Sequence, residues 1–292
     1  RERLNVFTGI FFGILIVMSA MMLGLLLWAL LTSFKSAEEF RVNKYGFPQA
    51  WAFGNFATVL KKIAVPITMN IGGVPTKANI GMMMQVIYSL LYAGGGGIIM
   101  MIVPCIVAYL TCKFPYKFSK FINVFVVVAM IIPIVGSQAA ELSLLRALHL
   151  YDSIIGNWIQ KFHFLGMYYL VFFAAFKGVS KEYSEAASID GASEFTIMVR
   201  IMLPMVKTVM LTVFLIKFIE LWNDYQNPML YLPSYPTVAF GVYYMSVVNR
   251  TNDISTTVRL AGSILMAVPV LILFVCFKDK LIGNLSMGGV KE

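Results

Sequence analysis

Charge is what this sequence has least of. Only 13% of its 292 residues are Asp, Glu, Lys or Arg, where a soluble domain carries about 25%. With 59% apolar residues and a mean hydropathy of +0.80, that shortage excludes a water-soluble globular domain. Acid is the scarcer sign, 14 residues against 23 basic ones, for a net charge of +9. In a membrane chain such an excess serves orientation and lipid headgroups first, so no nucleic-acid partner is expected. Histidine is nearly absent: His149 and His163 lack metal-ligand spacing, and no metal site is expected. The three cysteines, Cys105, Cys112 and Cys276, lie in apolar runs where a thiol behaves as a small hydrophobe, so no disulfide framework is implied. No Ser/His/Asp set and no carboxylate pair stands out, which leaves no catalytic centre and no cofactor to expect. The chain opens on Arg1 with "RERLN" before an apolar run, but that run is too long for a signal peptide and has no small-residue cleavage site.

What is present is a series of long uncharged apolar runs. A bilayer core about 30 Å thick needs roughly 20 apolar residues per helical span, whereas a β-barrel shows alternating segments of about 10. The runs predict an all-α membrane protein with six transmembrane helices over 9–31, 78–112, 121–140, 158–176, 203–225 and 260–277. One transmembrane domain is expected over 1–292, with its core at 78–280, preceded by the first span and an extracellular loop at 32–77. That loop is too mixed to cross and too aromatic for a linker, and reads as short helices at the surface. Residues 141–157 are amphipathic and suit the interface. Lys161, near the start of the fourth span, is expected to snorkel to the headgroups.

An even number of spans places both termini on one side, with the loops after spans two and four. Basic residues divide almost evenly between the sides. The turn "KFPYKFSK" after span two, short and free of acid, decides for the cytoplasm.

The stretch from Glu182 to Met205, "EYSEAASIDGASEFTIMVRIMLPM", then lies in the cytoplasm between spans four and five. Ser180 can cap a helix whose first turn carries Glu182 and Glu185, charges that suit the positive end of the helix dipole. Gly191 offers the left-handed geometry that ends a helix, and Ser193 can cap a second one. Tyr183, Ala186, Ala187 and Asp190 recur at three and four positions, which brings small side chains onto one face. On these grounds the helix either docks against another backbone or rests on the membrane surface.

The same residues carry a resemblance. Glu185, Ala186, Ala187, Asp190, Gly191 and Ala192, followed by Ile201, Leu203 and Pro204, resemble the EAA signature of binding-protein-dependent ABC importers. "LLTSFKSAEEF", "AYLTCKFPYK" and "WNDYQNPMLYL" extend the likeness to the smaller, six-span permease of maltose-like carbohydrate importers. The resemblance implies a MetI-like permease fold and a coupling helix formed by Glu185, Ala186, Ala187, Asp190, Gly191 and Ala192. It implies that Glu185 pairs with a basic group of a cytoplasmic ATPase, where hydrolysis takes place, and that this chain is no enzyme. The implied partners are an ATPase dimer, a second homologous permease, an extracytoplasmic solute-binding protein and membrane lipid. The implied setting is the bacterial plasma membrane, crossed several times. The run Gly94–Gly97 departs from the expected pattern; it is followed by neither Lys nor Ser/Thr, so it is no phosphate loop, and close helix packing is the reading.

Ionisable groups at membrane depth pair with one another or face a cavity. Lys217 and Glu220, three apart, either neutralise each other or leave Glu220, Trp222, Asn223 and Tyr225 to line a carbohydrate pathway. Lys35, Arg41, Lys44, Lys61, Lys62 and Lys77 in the outer loop can steer an acidic oligosaccharide, or bind headgroups or the binding protein. The expected function is ATP-driven import of a carbohydrate by alternating access, an oligosaccharide that can be neutral or acidic. An ion-coupled secondary transporter using Lys217, Glu220 and Asp224 is the alternative, although no internal repeat of the kind such folds carry is visible.

Overall fold

The computed structural model describes residues 6–71, 74–132, 136–249 and 254–286. Long unbroken apolar sequence gives long helix at both ends of the chain. Helix α1 (Val6–Ser33) is apolar all round and exposed up to Leu27, so in a bilayer those side chains meet lipid or another subunit; its last turns pack within the chain, with Trp28 Nε1 donating to the Lys44 carbonyl and Thr32 and Ser33 buried. The loop that follows carries α2 (Ala37–Val42), capped by the Ser36 side chain, and α3 (Gly54–Lys62). Next come two strands the sequence did not announce, β1 (Val65–Ile71) and β2 (Val74–Ile80), which pair as a two-stranded sheet. They take residues 78–80 from the expected second span. That span is α4, Met82–Lys113.

The remaining elements are α5 (Lys117–Ile131), α6 (Ser137–Ala147), α7 (Ile154–Gln160), α8 (Met167–Lys177), α9 (Glu182–Ile189), α10 (Glu194–Met205), α11 (Lys207–Trp222), α12 (Gln226–Tyr231), α13 (Val238–Val248) and α14 (Thr256–Ser286). Helices α1, α4 and α14 are long and apolar enough to cross a bilayer. The pair α10 and α11 makes a fourth if it is counted as one span bent by 73°. Helix α5 has 15 residues and α8 has 11, about 22 and 16 Å at the helical rise, short of the hydrocarbon thickness as single straight helices.

Two expected spans are broken for local reasons. Span four divides into α7 and α8 because the chain turns through 161–166, closing on Gly166 at φ +136°, a geometry that excludes other residues. Span five bends at Val206, two residues beyond Pro204, whose ring has no N–H to give to the preceding turn. Pro133, expected within span three, lies outside the described residues; α5 ends at Ile131, and α6 opens after Gly136 at φ +79°.

The chain forms two compact units. One comprises the described residues of 1–66, 79–82 and 241–271. Its buried side chains include Val59, Ile63, Val65, Val242, Met245, Val258 and Ala261, and a Cβ on Gly262 would press the Met245 methyl at 2.9 Å and touch Val59 and Val242. Lys35 is fully buried there and donates to the Asn43 carbonyl at 2.8 Å, so it is a structural residue and not a free steering charge. The second unit comprises the described residues of 67–78, 83–240 and 272–292. Its core packs α4 against α8, with Cys105, Tyr109, Tyr169, Phe172, Ile197 and Met202 among the buried side chains.

Candidate functional site

The second unit carries both expected sites. Helix α9 ends as its sequence dictates: Gly191 takes φ +80°, its N–H donates to the Ser188 carbonyl at 3.1 Å, and the Ala192 N–H reaches back to Ala187 at 2.9 Å. Those two bonds form a Schellman stop, which satisfies carbonyls the helix end would leave open. At the other end the N-cap position falls on Lys181, which makes no side-chain cap, and not on Ser180 as expected; the Ser180 hydroxyl, one residue earlier, only accepts from the Glu182 N–H at 3.3 Å. Ser193 then caps α10 by accepting from the Thr196 N–H, also at 3.3 Å. The result is two short helices joined by a fixed bend.

The alanine pair is split between faces. Ala187 points inward and belongs to the core cluster with Tyr109 and Ile197, while Glu185, Ala186, Asp190 and Gly191 are exposed and Ala192 is half-buried. Beside them Ile189 is 86% exposed and Phe195 70%, large apolar groups that a helix end in water alone has no reason to present. A cleft of about 680 Å³ lies between this segment and the ends of α4 and α8, with Lys113, Lys177 and Lys181 on its wall. Across its mouth Lys113 Nζ stands 2.7 Å from Glu194 Oε2.

The pathway residues are held differently from the expectation. Lys217 Nζ lies 2.7 Å from Glu220 Oε2 and 4.9 Å from the centre of the Tyr168 ring, so this pair neutralises itself. Asp224 turns elsewhere: its Oδ2 accepts from Tyr92 Oη at 2.7 Å and from Asn227 Nδ2 at 2.6 Å. Lys217, Glu220 and Asp224 therefore form no continuous hydrogen-bonded relay. Trp222 is buried and stacked on Phe218, and the Asn223 amide donates to its own helix at Ile219. Tyr225 is half-buried, with its hydroxyl 3.5 Å from Gln226 Nε2.

Of the four expected pathway residues only Glu220 faces a cavity of about 640 Å³, which it shares with Glu141, Gln160, Lys161, Asp224 and Asn227. Lys161 does not snorkel. It is 8% exposed, donates to Asn157 Oδ1 at 2.6 Å and stands 4.5 Å from the Tyr92 ring centre. Hydrogen bonds, from Ser137 first and then Gln160 and Tyr231, hold the Glu141 carboxyl below the usual range against partial burial.

The glycine run explains how these groups meet. Within α4 the turn Leu91–Gly95 widens to π-helical geometry, and the Leu91 carbonyl accepts from Trp158 Nε1 at 3.1 Å. A Cβ on Gly95 would stand inside the Trp158 indole. One on Gly96 would meet Leu221 at 2.9 Å and Lys161 at 3.0 Å. Glycine here lets α4 close on α7 and α11, as its packing reading required.

Residues 59–281 match the family described as the binding-protein-dependent transport system inner membrane component. The chain belongs to this family. It is thus an ABC importer permease, a membrane component whose ATPase is a separate subunit. Among its relatives is the diacetylchitobiose uptake system permease protein of Streptomyces coelicolor, 24% identical over 287 residues that cover 97% of this chain and 88% of that one. Another is the melibiose/raffinose/stachyose import permease protein of Bacillus subtilis, 23% identical over 277 residues, 90% of this chain and 89% of that one. In fold the permease is similar to a chain from the crystal structure of a bacterial ABC transporter involved in the import of the acidic polysaccharide alginate. The TM-score is 0.74 at 18% identity, covering 96% of this chain and 98% of that one.

Sequence reasoning missed Glu141, Gln160, Lys161 and Tyr92 in this permease. Only Lys161 carried a signal, as a lysine inside an apolar run. Ile189 and Phe195 were missed as exposed groups, because an apolar residue gives no sign in sequence of which way it faces.

Proposed function

We propose that this permease imports an oligosaccharide across the bacterial plasma membrane by alternating access, driven by a cytoplasmic ATPase dimer. It works beside a second homologous permease and receives sugar from an extracytoplasmic binding protein. Both termini lie in the cytoplasm, and the chain crosses six times as a single permease domain, with α5 and the broken pair α7–α8 supplying crossings that their straight lengths do not. The observation that carries this reading is the outward face of α9. Glu185, Ala186 and Ile189 stand exposed on a helix that starts after Lys181, not at a Ser180 cap, and stops at Gly191, while Ala187 anchors it to the core. A rigid, exposed knob joined through short connections to α8 and α11 can convert movement of an ATPase groove into rotation of those helices.

The cavity around Glu220 is the proposed sugar pathway. With Glu220 neutralised by Lys217, Glu141 and Asp224 stand against Lys161, a lining with no excess of cations that suits hydroxyl-rich neutral sugars better than polyanions, and the relatives' names point to oligosaccharides. Neutral and uronate oligosaccharides, presented with the binding protein to the complete transporter in proteoliposomes, test this through sugar-stimulated ATP hydrolysis. Neutral sugars are expected to stimulate. Stimulation by uronates alone contradicts the substrate reading. In the same system Glu185→Lys is expected to leave assembly intact and to lower sugar uptake per ATP hydrolysed; uptake at the wild-type ratio removes Glu185 from the coupling role.

A further inference from the structure

Joining α9 and α10 to the helices at their two ends gives the ATPase a hold on α8 and α11. The structure supplies a third hold. Lys113 is the last residue of α4 and Glu194 the first of α10, and their charged atoms lie 2.7 Å apart. The lysine stem is largely covered, its side chain 17% exposed, with the ammonium 6.0 Å from the Tyr109 ring centre and 5.8 Å from that of Phe114. Glu194 opens the turn that Ser193 caps, which fixes its backbone, while its side chain is 59% exposed. The partners thus stand on separate helices, the lysine largely covered and the glutamate more than half exposed.

Helix α4 continues from that contact to the pathway. Tyr92, twenty-one residues before Lys113 and so about 31 Å away along the helix, donates to Asp224 at 2.7 Å. On the way α4 lies close against α11: a Cβ on Gly96 would meet Leu221 at 2.9 Å, and one on Gly97 would touch Phe214 at 3.4 Å, an ordinary contact distance. A shift of α4 along its axis is therefore felt at the base of the sugar cavity.

We infer that Lys113 and Glu194 form a latch through which the coupling segment moves the second span, with Lys113 and Glu194 as positioning residues. The inference rests on the coupling role proposed for α9. With Glu194 more than half open to water the pair is only partly desolvated, so its loss costs modest stability and chiefly changes how faithfully movement is passed on.

The test is ATP hydrolysed per sugar imported, measured on the complete transporter in proteoliposomes. The variants are Lys113→Glu, Glu194→Lys and the double exchange, with Lys113→Met and Glu194→Gln as neutral variants should charge reversal impair assembly. Each single change is expected to raise ATP consumed per sugar by about fivefold or more, the lower range of measured couplings between sites. The double exchange, which restores the pair with its signs swapped, is expected to return the ratio to near wild type. Single variants with a wild-type ratio overturn the latch, as does a double exchange that fails as badly as the singles. Glu185→Lys runs in parallel: if it uncouples while the latch variants do not, the latch is wrong and the importer reading stands. If none of the variants changes the ratio, the coupling role of the segment falls with the latch.

Discussion

Gly95 has no room for a methyl group, and Gly94, its neighbour on the same turn, has open space around it. Gly95→Ala is therefore expected to cost about 1–3 kcal/mol through overpacking against Trp158, and Gly94→Ala to be neutral or slightly stabilising. Thermal unfolding of the detergent-solubilised permease separates the two; equal melting temperatures contradict the packing assignment. The role of the glycine run was legible at this scale, since four consecutive glycines in a membrane helix suit little else. The partners were not. Trp158 and Lys161 lie some sixty positions away in sequence, and a lysine inside an apolar run equally suits snorkelling and burial. Only the packing of α7 on the glycine turn, with Asn157 as acceptor and Tyr92 beneath, decides for burial.

At the scale of elements, helix ends were legible where local chemistry sets them. Ser193, Gly191 and the acidic first turn of α9 act within a few residues of themselves, so their effect could be read directly. The breaks in spans four and five were not read, because hydropathy averages over them. A run from 158 to 176 has the same mean whether it is one helix or two joined at Gly166. The stop at Gly191 gives a graded prediction. Its φ of +80° costs an alanine about 1 kcal/mol and an asparagine less, since asparagine tolerates left-handed geometry. Sugar imported per ATP is expected to fall in the order wild type, Gly191→Asn, Gly191→Ala, with ATP hydrolysis retained. An Ala variant that couples as well as wild type shows that the fixed bend is not needed.

For the whole molecule, the family was legible because its signature is local and contiguous, whereas the strand pair β1 and β2 and the inward turn of Ala187 depend on tertiary packing. Two features of the chain require company. Helix α1 is exposed from Phe7 to Leu27, and α9 presents Ile189 at 86% exposure. Lipid or another subunit can cover the first; the second lies beside charged residues, and under the proposed coupling role a groove of the ATPase covers it. The most direct measurement places a photo-crosslinker at Ala186→Cys, in a chain whose Cys105, Cys112 and Cys276 have been replaced, within the assembled transporter. A cross-link to the ATPase chain, with a yield that changes when ATP binds, is the expected result. Labelling of lipid or solvent alone, with no second polypeptide captured from an intact complex, would contradict the coupling of this segment to ATP hydrolysis.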